Sequence, residues 1–264
     1  MMRRSVFVLS SLLVTTLLAT PTVAQRKASY KGGDVTNGGT ISGKVTWTGA
    51  KLKLEPFEIN KNPEICDTDK SGKRTSSRLV ISGSGGVANA VVYLEAVQAG
   101  KPLGTTGAKL DQKGCRYEPH IIIMPRRSEL SMASGDAILH NIHMSGAANY
   151  NIPFPDQNTV PKKMRKAGIA RIQCDAGHGW MSAYVFVINH PYYAVTDANG
   201  AFTFADVPAG NYTIKMWHES WVVAKEVGKD GVITGYEFED PIEATKEVEL
   251  APGAKASVDF TLSQ

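Results

Sequence analysis

The sequence predicts an all-β chain. Three observations carry that prediction: Val, Ile and Thr cluster in short runs such as "TISGKVTWTG" and "SAYVFVINH", turn residues separate those runs, and a helical apolar pattern is nearly absent. The 264 residues include 25 Gly and 13 Pro, which suits many short strands.

The chain opens with "MMRRSVFVLSSLLVTTLLATPTVAQ": two arginines, an apolar run without an acidic residue, then Thr22-Val23-Ala24. This is the layout of a cleaved export signal, residues 1–24, with the cut expected after Ala24. The apolar run is short for a membrane span and no comparable run follows, so no span is expected after cleavage. No Cys stands at the cut for a lipid anchor, and Arg3-Arg4 leaves the export route open. The expected location is the periplasm or the extracellular space. The remaining chain carries 27 basic against 25 acidic residues, too even a balance to favour nucleic acid as a partner.

Residues 25–37 are polar and Gly-rich, and are expected to be a flexible leader. "TISGKVTWTG" alternates as a strand. A long polar stretch leads to "GVANAVVYLEAV", whose Val91 to Leu94 are apolar in succession, as in a strand buried on both faces. "QAGKPLGTTGAKLDQKG" is expected to be a connector. "CRYEPHIIIMP" and "RSELSMASGD" predict strand, turn and strand, followed by "AILHNIHMSG". Residues 145–168 look irregular and hold the basic cluster Lys162, Lys163, Arg165 and Lys166, expected as a solvated loop or a patch that steers an acidic partner. "GIARIQC" and "SAYVFVINH" are strands on either side of "CDAGHGWM". Further on, "TDANGAF" and "VPAGNY" read as tight turns between strands, and "KEVELAPGAKASVDFTLS" as a terminal hairpin with Pro-Gly at its tip.

Three cysteines in an exported protein make one pair and one left over. Cys66 and Cys115 lie in loop-to-strand contexts suited to a cross-link. Cys174 is then the odd thiol, and in an oxidising compartment it needs burial or a metal to protect it.

Two families are similar to parts of this chain. "TDANGAFTFADVPAGNYTIKMWHES" with the last hairpin resembles the carboxypeptidase regulatory-like (transthyretin-like) β-sandwich, whose opening strands would be "ISGKV" and "VANAVVYLE". "CRYEPHIIIMPRRSELSMASGDAILHNIHMS" through "CDAGHGWMSAYVFVI" resembles a cupredoxin, with His140-Asn141 and the Cys-His-Met loop as its specific features. Together they imply a cupredoxin Greek-key sandwich, residues 105–189, inserted into or following a transthyretin-like sandwich formed by residues 38–98 and 190–264. The nested order is preferred, since a sandwich tolerates an insert whose ends lie close together.

Copper changes oxidation state with little rearrangement in a site of two imidazoles, a thiolate and a weak axial thioether. Cys174, His178 and Met181 supply three of these from one loop. The cupredoxin resemblance assigns His140 as the second imidazole, and Asn141 as the residue that hydrogen-bonds across to the ligand loop. His143 competes with His140, and the Asn that follows His140 decides between them. His178 is expected near an exposed edge. The loop also resembles that of the dinuclear copper centre in terminal oxidases, but the position of its second Cys holds Ala170, so one mononuclear copper site is expected. Zinc suits the same ligands. His120 and Met144 are candidates for a wider cuprous surface, although strand and core packing explain them as well. His218 reads as a satisfied, partly buried histidine, and Trp180 as shield, docking patch or packing.

No Gly-x-Ser-x-Gly, His-Glu-x-x-His or phosphate-loop motif occurs, so a non-catalytic role is expected. The leading reading is an exported electron-transfer protein with a redox partner protein. Copper storage or delivery, with a copper donor or acceptor as partner, is the second. A non-catalytic carbohydrate-binding or adhesion module is the third, with Tyr192 and Tyr193 read either as exposed aromatics or as packing at the domain junction.

Overall fold

The computed structural model describes residues 29–50, 52–229 and 232–264; the expected export signal lies outside them. The chain is all-β, with a single helical turn, Pro63–Cys66, among the described residues. No helix there is long and apolar enough to cross a membrane.

Strands from the two ends of the chain share sheets. Gly39–Trp47 pairs antiparallel with Ala201–Val207 and parallel with Lys255–Ser257 and Phe260–Leu262. The facing sheet runs Tyr193–Val195, Val91–Leu94, Gly210–His218, Ile242–Leu250. Ile41, Val45, Leu94, Phe204, Ile214 and Phe260 fill the space between them. This is the flanking sandwich.

The strands between Ala108 and Ile188 pair only among themselves and make a central sandwich. One sheet is ordered Ile121–Pro125, Ser182–Ile188, Gly168–Gln173, His140–Gly146, Tyr150–Phe154. The other contains Tyr117–Glu118, Ala108–Gln112, Glu129–Ala133 and Thr159–Lys163. Leu110, Leu130, Met132, Ile142, Ile172 and Val185 lie in its core.

The two-residue period explains why "SAYVFVI" is apolar throughout. Ala183, Val185 and Val187 face the central core, whereas Tyr184, Phe186 and Ile188 meet Val91 and Trp217 of the flanking sandwich. The strand is buried on both faces because a second sandwich covers its outer one.

Several local expectations change. Lys31–Gly32, expected in a flexible leader, pairs with Ala99–Gly100. The expected connector contains strand Ala108–Gln112, and residues 145–168 contain Tyr150–Phe154 and Thr159–Lys163. The terminal segment is not a hairpin: Ile242–Leu250 pairs with Gly210–His218, and Lys255–Ser257 crosses to Gly39–Trp47 in the other sheet. A Pro-Gly turn closes two strands equally well within one sheet or between two, so turn chemistry alone does not choose the partner.

Two segments from the flanking regions extend over the central sandwich. Phe57 and Cys66 enter its core, and Tyr236 and Phe238 of the hairpin Val223–Lys229 with Val232–Phe238 pack against it. Both reach the end where the Cys174 loop lies.

Candidate metal centre

Cys174 follows directly on strand Gly168–Gln173, and His178 and Met181 complete the loop before Ser182–Ile188. The loop turns at Gly177, whose φ of 92° suits glycine, and closes with the Met181 N–H donating to the His178 carbonyl at 2.9 Å. The neighbouring strand is antiparallel, with His143 opposite Gln173, so its first residue, His140, arrives beside the loop.

His140 Nδ1 lies 4.0 Å and His178 Nδ1 3.7 Å from Cys174 Sγ, and the imidazole centroids are 4.5 Å apart. These nitrogens and the sulfur fall within 4.8 Å of one another. Both N···S separations are shorter than one metal–sulfur plus one metal–nitrogen bond, together about 4.3 Å. His140 and His178 are 0% exposed, Cys174 3% and Met181 2%.

The distal ring nitrogens fix the tautomers. His140 Nε2 faces Asp136 Oδ2 at 3.0 Å, and His178 Nε2 faces Asn62 Oδ1 at 3.2 Å. Both partners are acceptors, so each Nε2 carries the proton and each Nδ1 lone pair is turned toward the sulfur. One thiol proton satisfies at most one of two lone pairs. The cluster therefore has the donor set of a cation site, and a metal ion fits it.

Burial pushes the Cys174 thiol pKa up, opposed by backbone N–H groups of Asn141, Ala176 and His178. Burial lowers His178 to about 4, helped by His140 and Lys61, and lowers His140 as well, which the Asp136 hydrogen bond opposes. Without metal the set is a thiol and two neutral imidazoles.

Asn141 ties the ligand loop to the His140 strand. Its Oδ1 accepts the N–H groups of Asp175 at 2.6 Å and Ala176 at 3.2 Å, while its Nδ2 donates to Asn151 Oδ1 at 2.8 Å. Beneath it the Tyr117 hydroxyl donates to the Asn141 carbonyl at 2.5 Å.

His178, expected near an exposed edge, is enclosed. Trp180 stands T-shaped to it at 5.5 Å with its Nε1 donating to the Cys115 carbonyl, which makes Trp180 a packing residue. Gly179 meets the backbone of Thr234 and Gly235 in the overlying hairpin. Between hairpin and loop lies a cavity of about 440 Å³ that Cys174, Met181 and Tyr236 help to line.

The other candidates lie elsewhere. His143 is 2.7 Å from the Asp175 carboxylate, and Met144 is in the core. His120 contacts Glu219 and the Ser182 carbonyl. His218 is fully buried and donates through Nδ1 to the Glu219 carbonyl. Tyr192, read as exposed or as junction packing, is buried in the flanking core, and Tyr193 stacks on Tyr93 at 4.7 Å. The Cys66–Cys115 disulfide is formed.

Asp136 and Asn62 were not legible as site residues. Asp136 stands four residues before His140, and Asn62 precedes Pro63 with φ 47°. An Asn-Pro pair signals a turn but gives no destination for the side chain.

A family profile described as "BOS complex subunit NOMO1-like, second beta sandwich domain" matches residues 189–235. No curated protein matches the chain. Solved structures similar to it include a copper-containing nitrite reductase from Thermus scotoductus SA-01, 14% identical, covering 34% of this chain and 24% of that one, with a TM-score of 0.30. This chain thus spans about a quarter of that reductase. A purple cupredoxin from Nitrosopumilus maritimus is 17% identical over 31% of this chain and 99% of its own, with a TM-score of 0.28. Amicyanin from Paracoccus versutus is 12% identical over 42% and 98%, also with a TM-score of 0.28.

Proposed function

We propose that the chain is an exported mononuclear copper protein that carries electrons, with a central cupredoxin-like domain nested in a transthyretin-like sandwich. The observation that carries this reading is the convergence of the Cys174 thiol with the Nδ1 lone pairs of His140 and His178 in one buried cluster. Copper bound there would supply a one-electron couple. Thiolate and imidazole together favour copper or zinc, and the thioether of Met181 on the same loop favours copper.

The residues of the chain do the rest. Cys174 loses its proton on binding, while Asp136 and Asn62 hold the rings in the ligating tautomer. Asn141 pins the loop against rearrangement between oxidation states. All four candidate ligands are buried from bulk solvent, as suits an electron carrier, although Cys174 and Met181 also border the cavity under the hairpin.

The test is to add cupric ion to the purified protein and to Cys174→Ser, and record visible and electron paramagnetic resonance spectra. An intense thiolate-to-copper band, absent in the variant, is expected. A colourless protein that binds cuprous ion tightly would move the reading to storage or delivery, and no binding in either state would end it.

A further inference from the structure

The disulfide meets the metal cluster. Cys66 Sγ, Cys115 Sγ and a His178 ring nitrogen lie within 4.8 Å of one another, as do Cys115 Sγ, an Asp136 carboxylate oxygen and a His140 ring nitrogen. Proximity alone would be packing. The hydrogen bonds make it more specific.

At the Cys66 end, the Asn62 carbonyl accepts the N–H groups of Ile65 at 3.1 Å and Cys66 at 2.9 Å, while Asn62 Oδ1 takes the His178 Nε2–H. At the Cys115 end, the Asp136 carboxylate accepts the N–H groups of Gly114 and Cys115, both at 2.8 Å, and Oδ2 also takes the His140 Nε2–H. Each candidate imidazole is therefore held by an acceptor fixed to one half of the same disulfide. Arg74 spans the two halves, with Nη2 donating to the Cys66 carbonyl and to the Gly114 carbonyl at 3.1 Å.

We infer that the Cys66–Cys115 disulfide, through Asn62 and Asp136, is the positioning frame of the metal centre. The inference rests on the copper reading for its purpose, not for its geometry. The two half-cystines are 49 residues apart in sequence, and besides the disulfide the Cys66 segment is held by Phe57 in the core, the Arg74 bridge, a helical turn and the two-residue pairing of Phe57–Glu58 with Lys73–Arg74. The cross-link keeps both acceptors in register with the rings. An acceptor displaced by a fraction of an ångström lets its ring turn, and the Nδ1 lone pair leaves the sulfur.

The test compares the full chain with Asn62→Gly, Asp136→Asn, the pair Cys66→Ala with Cys115→Ala, and the singles combined with that pair. Gly at position 62 keeps the left-handed backbone and removes Oδ1. Cupric and cobaltous titrations report affinity, the thiolate band and the hyperfine coupling. Each single substitution is expected to weaken binding about ten- to a hundredfold and to shift the band. The cysteine pair should do at least as much, and adding either single to it should cost little more, because both act through one frame. Fully additive losses, or an unshifted band in every variant, would overturn the inference.

If the cysteine pair fails to fold by circular dichroism, the full chain with its disulfide reduced takes its place in the cobaltous titration, since the singles with the disulfide intact test only the two acceptors. Nitrogen-15 spectra of the imidazoles in the metal-free protein separate this inference from the copper reading. Nε2–H tautomers at His140 and His178 that depend on the disulfide, in a protein showing no metal band, would sink copper and keep the frame. A metal band with tautomers indifferent to the disulfide would sink the frame and keep copper.

Discussion

Two buried polar clusters among the described residues differ in what they lack. At the junction of the sandwiches, Arg78 and Glu219, 3% and 2% exposed, form an ion pair at 2.6 Å. Arg78 also donates to the Ser220 carbonyl at 2.7 Å, Ser182 Oγ at 3.0 Å and Tyr184 Oη at 3.1 Å, and both ring nitrogens of His120 face oxygen acceptors. In the other cluster each imidazole has one nitrogen on an acceptor and the other on the Cys174 sulfur. Charge meets counter-charge in the first. Lone pairs meet lone pairs in the second, an arrangement that a cation would complete. A buried polar cluster is thus read by matching donors to acceptors, not by burial itself.

Breaking the junction gives the largest expected effect. Glu219→Gln leaves the Arg78 charge buried without its partner and should cost about 3–5 kcal/mol of folding free energy, read by denaturant titration. Arg78→Met with Glu219→Leu removes both charges and should recover most of that loss. Metal affinity of the folded fraction should stay within about twofold, since no ligand touches the pair. A parallel collapse of metal binding would mean that the clusters are coupled.

The metal cluster should behave the other way. Cys174→Ser should change metal-free stability by less than about 1 kcal/mol, because no ion pair is broken. The intact chain should gain about 4 kcal/mol from metal at a thousand times its dissociation constant, and the variant should lose that gain. Thermal melts with and without cupric ion measure both. A variant that is itself strongly destabilised would show that the thiol is a packing element.

The same contrast explains what the sequence disclosed. Cys174, His178 and Met181 stood out as candidates because loop spacing is local, and His140 because Asn141 follows it; of these, the structure clusters His140, Cys174 and His178. Asn62 did not, because it reaches His178 across 116 residues, and Asp136, four residues before His140, carries no motif. The junction escaped notice for a similar reason: Arg78, His120 and Glu219 belong to three distant segments, and none carries a motif. The alternating runs disclosed strands, but the hairpin of Val223–Lys229 with Val232–Phe238 was not among them. His178 was expected at an edge, whereas Asn62 and the hairpin against Gly179, both from outside residues 105–189, close over the loop.

Acid should sharpen the comparison further. Burial holds His178 and His190 near 4 and also lowers His140 and His218, so between about pH 6.5 and 4 the unfolded chain binds more protons than the folded one. Metal-free stability should therefore be full above pH 6.5 and fall toward pH 4, by about 1.4 kcal/mol per pH unit for each group titrating differently. Metal uptake at pH 7 should release about one proton, that of Cys174, measured with an indicator dye in weak buffer. Release of two or three protons would mean that the imidazoles are charged before binding.

The smallest effect tests the cover over the ligand loop. A Cβ on Gly179 would lie 2.6 Å from Gly235 Cα and 2.8 Å from the Thr234 carbonyl carbon, backbone atoms that cannot rotate away. Gly179→Ala must then lift the hairpin from the loop, at a cost of about 1–3 kcal/mol, and should speed metal exchange while leaving the junction intact. Gly235→Ala approaches from the other side, where its Cβ would meet only Val227 Cβ at 3.7 Å, an ordinary contact. It should be nearly silent. The close approach is one-sided, so a matched pair of alanine variants with equal effects would refute the seating of the hairpin on the loop. Unequal effects, in the stated order, would show that the enclosure of His178 and Cys174 depends on a glycine in the ligand loop.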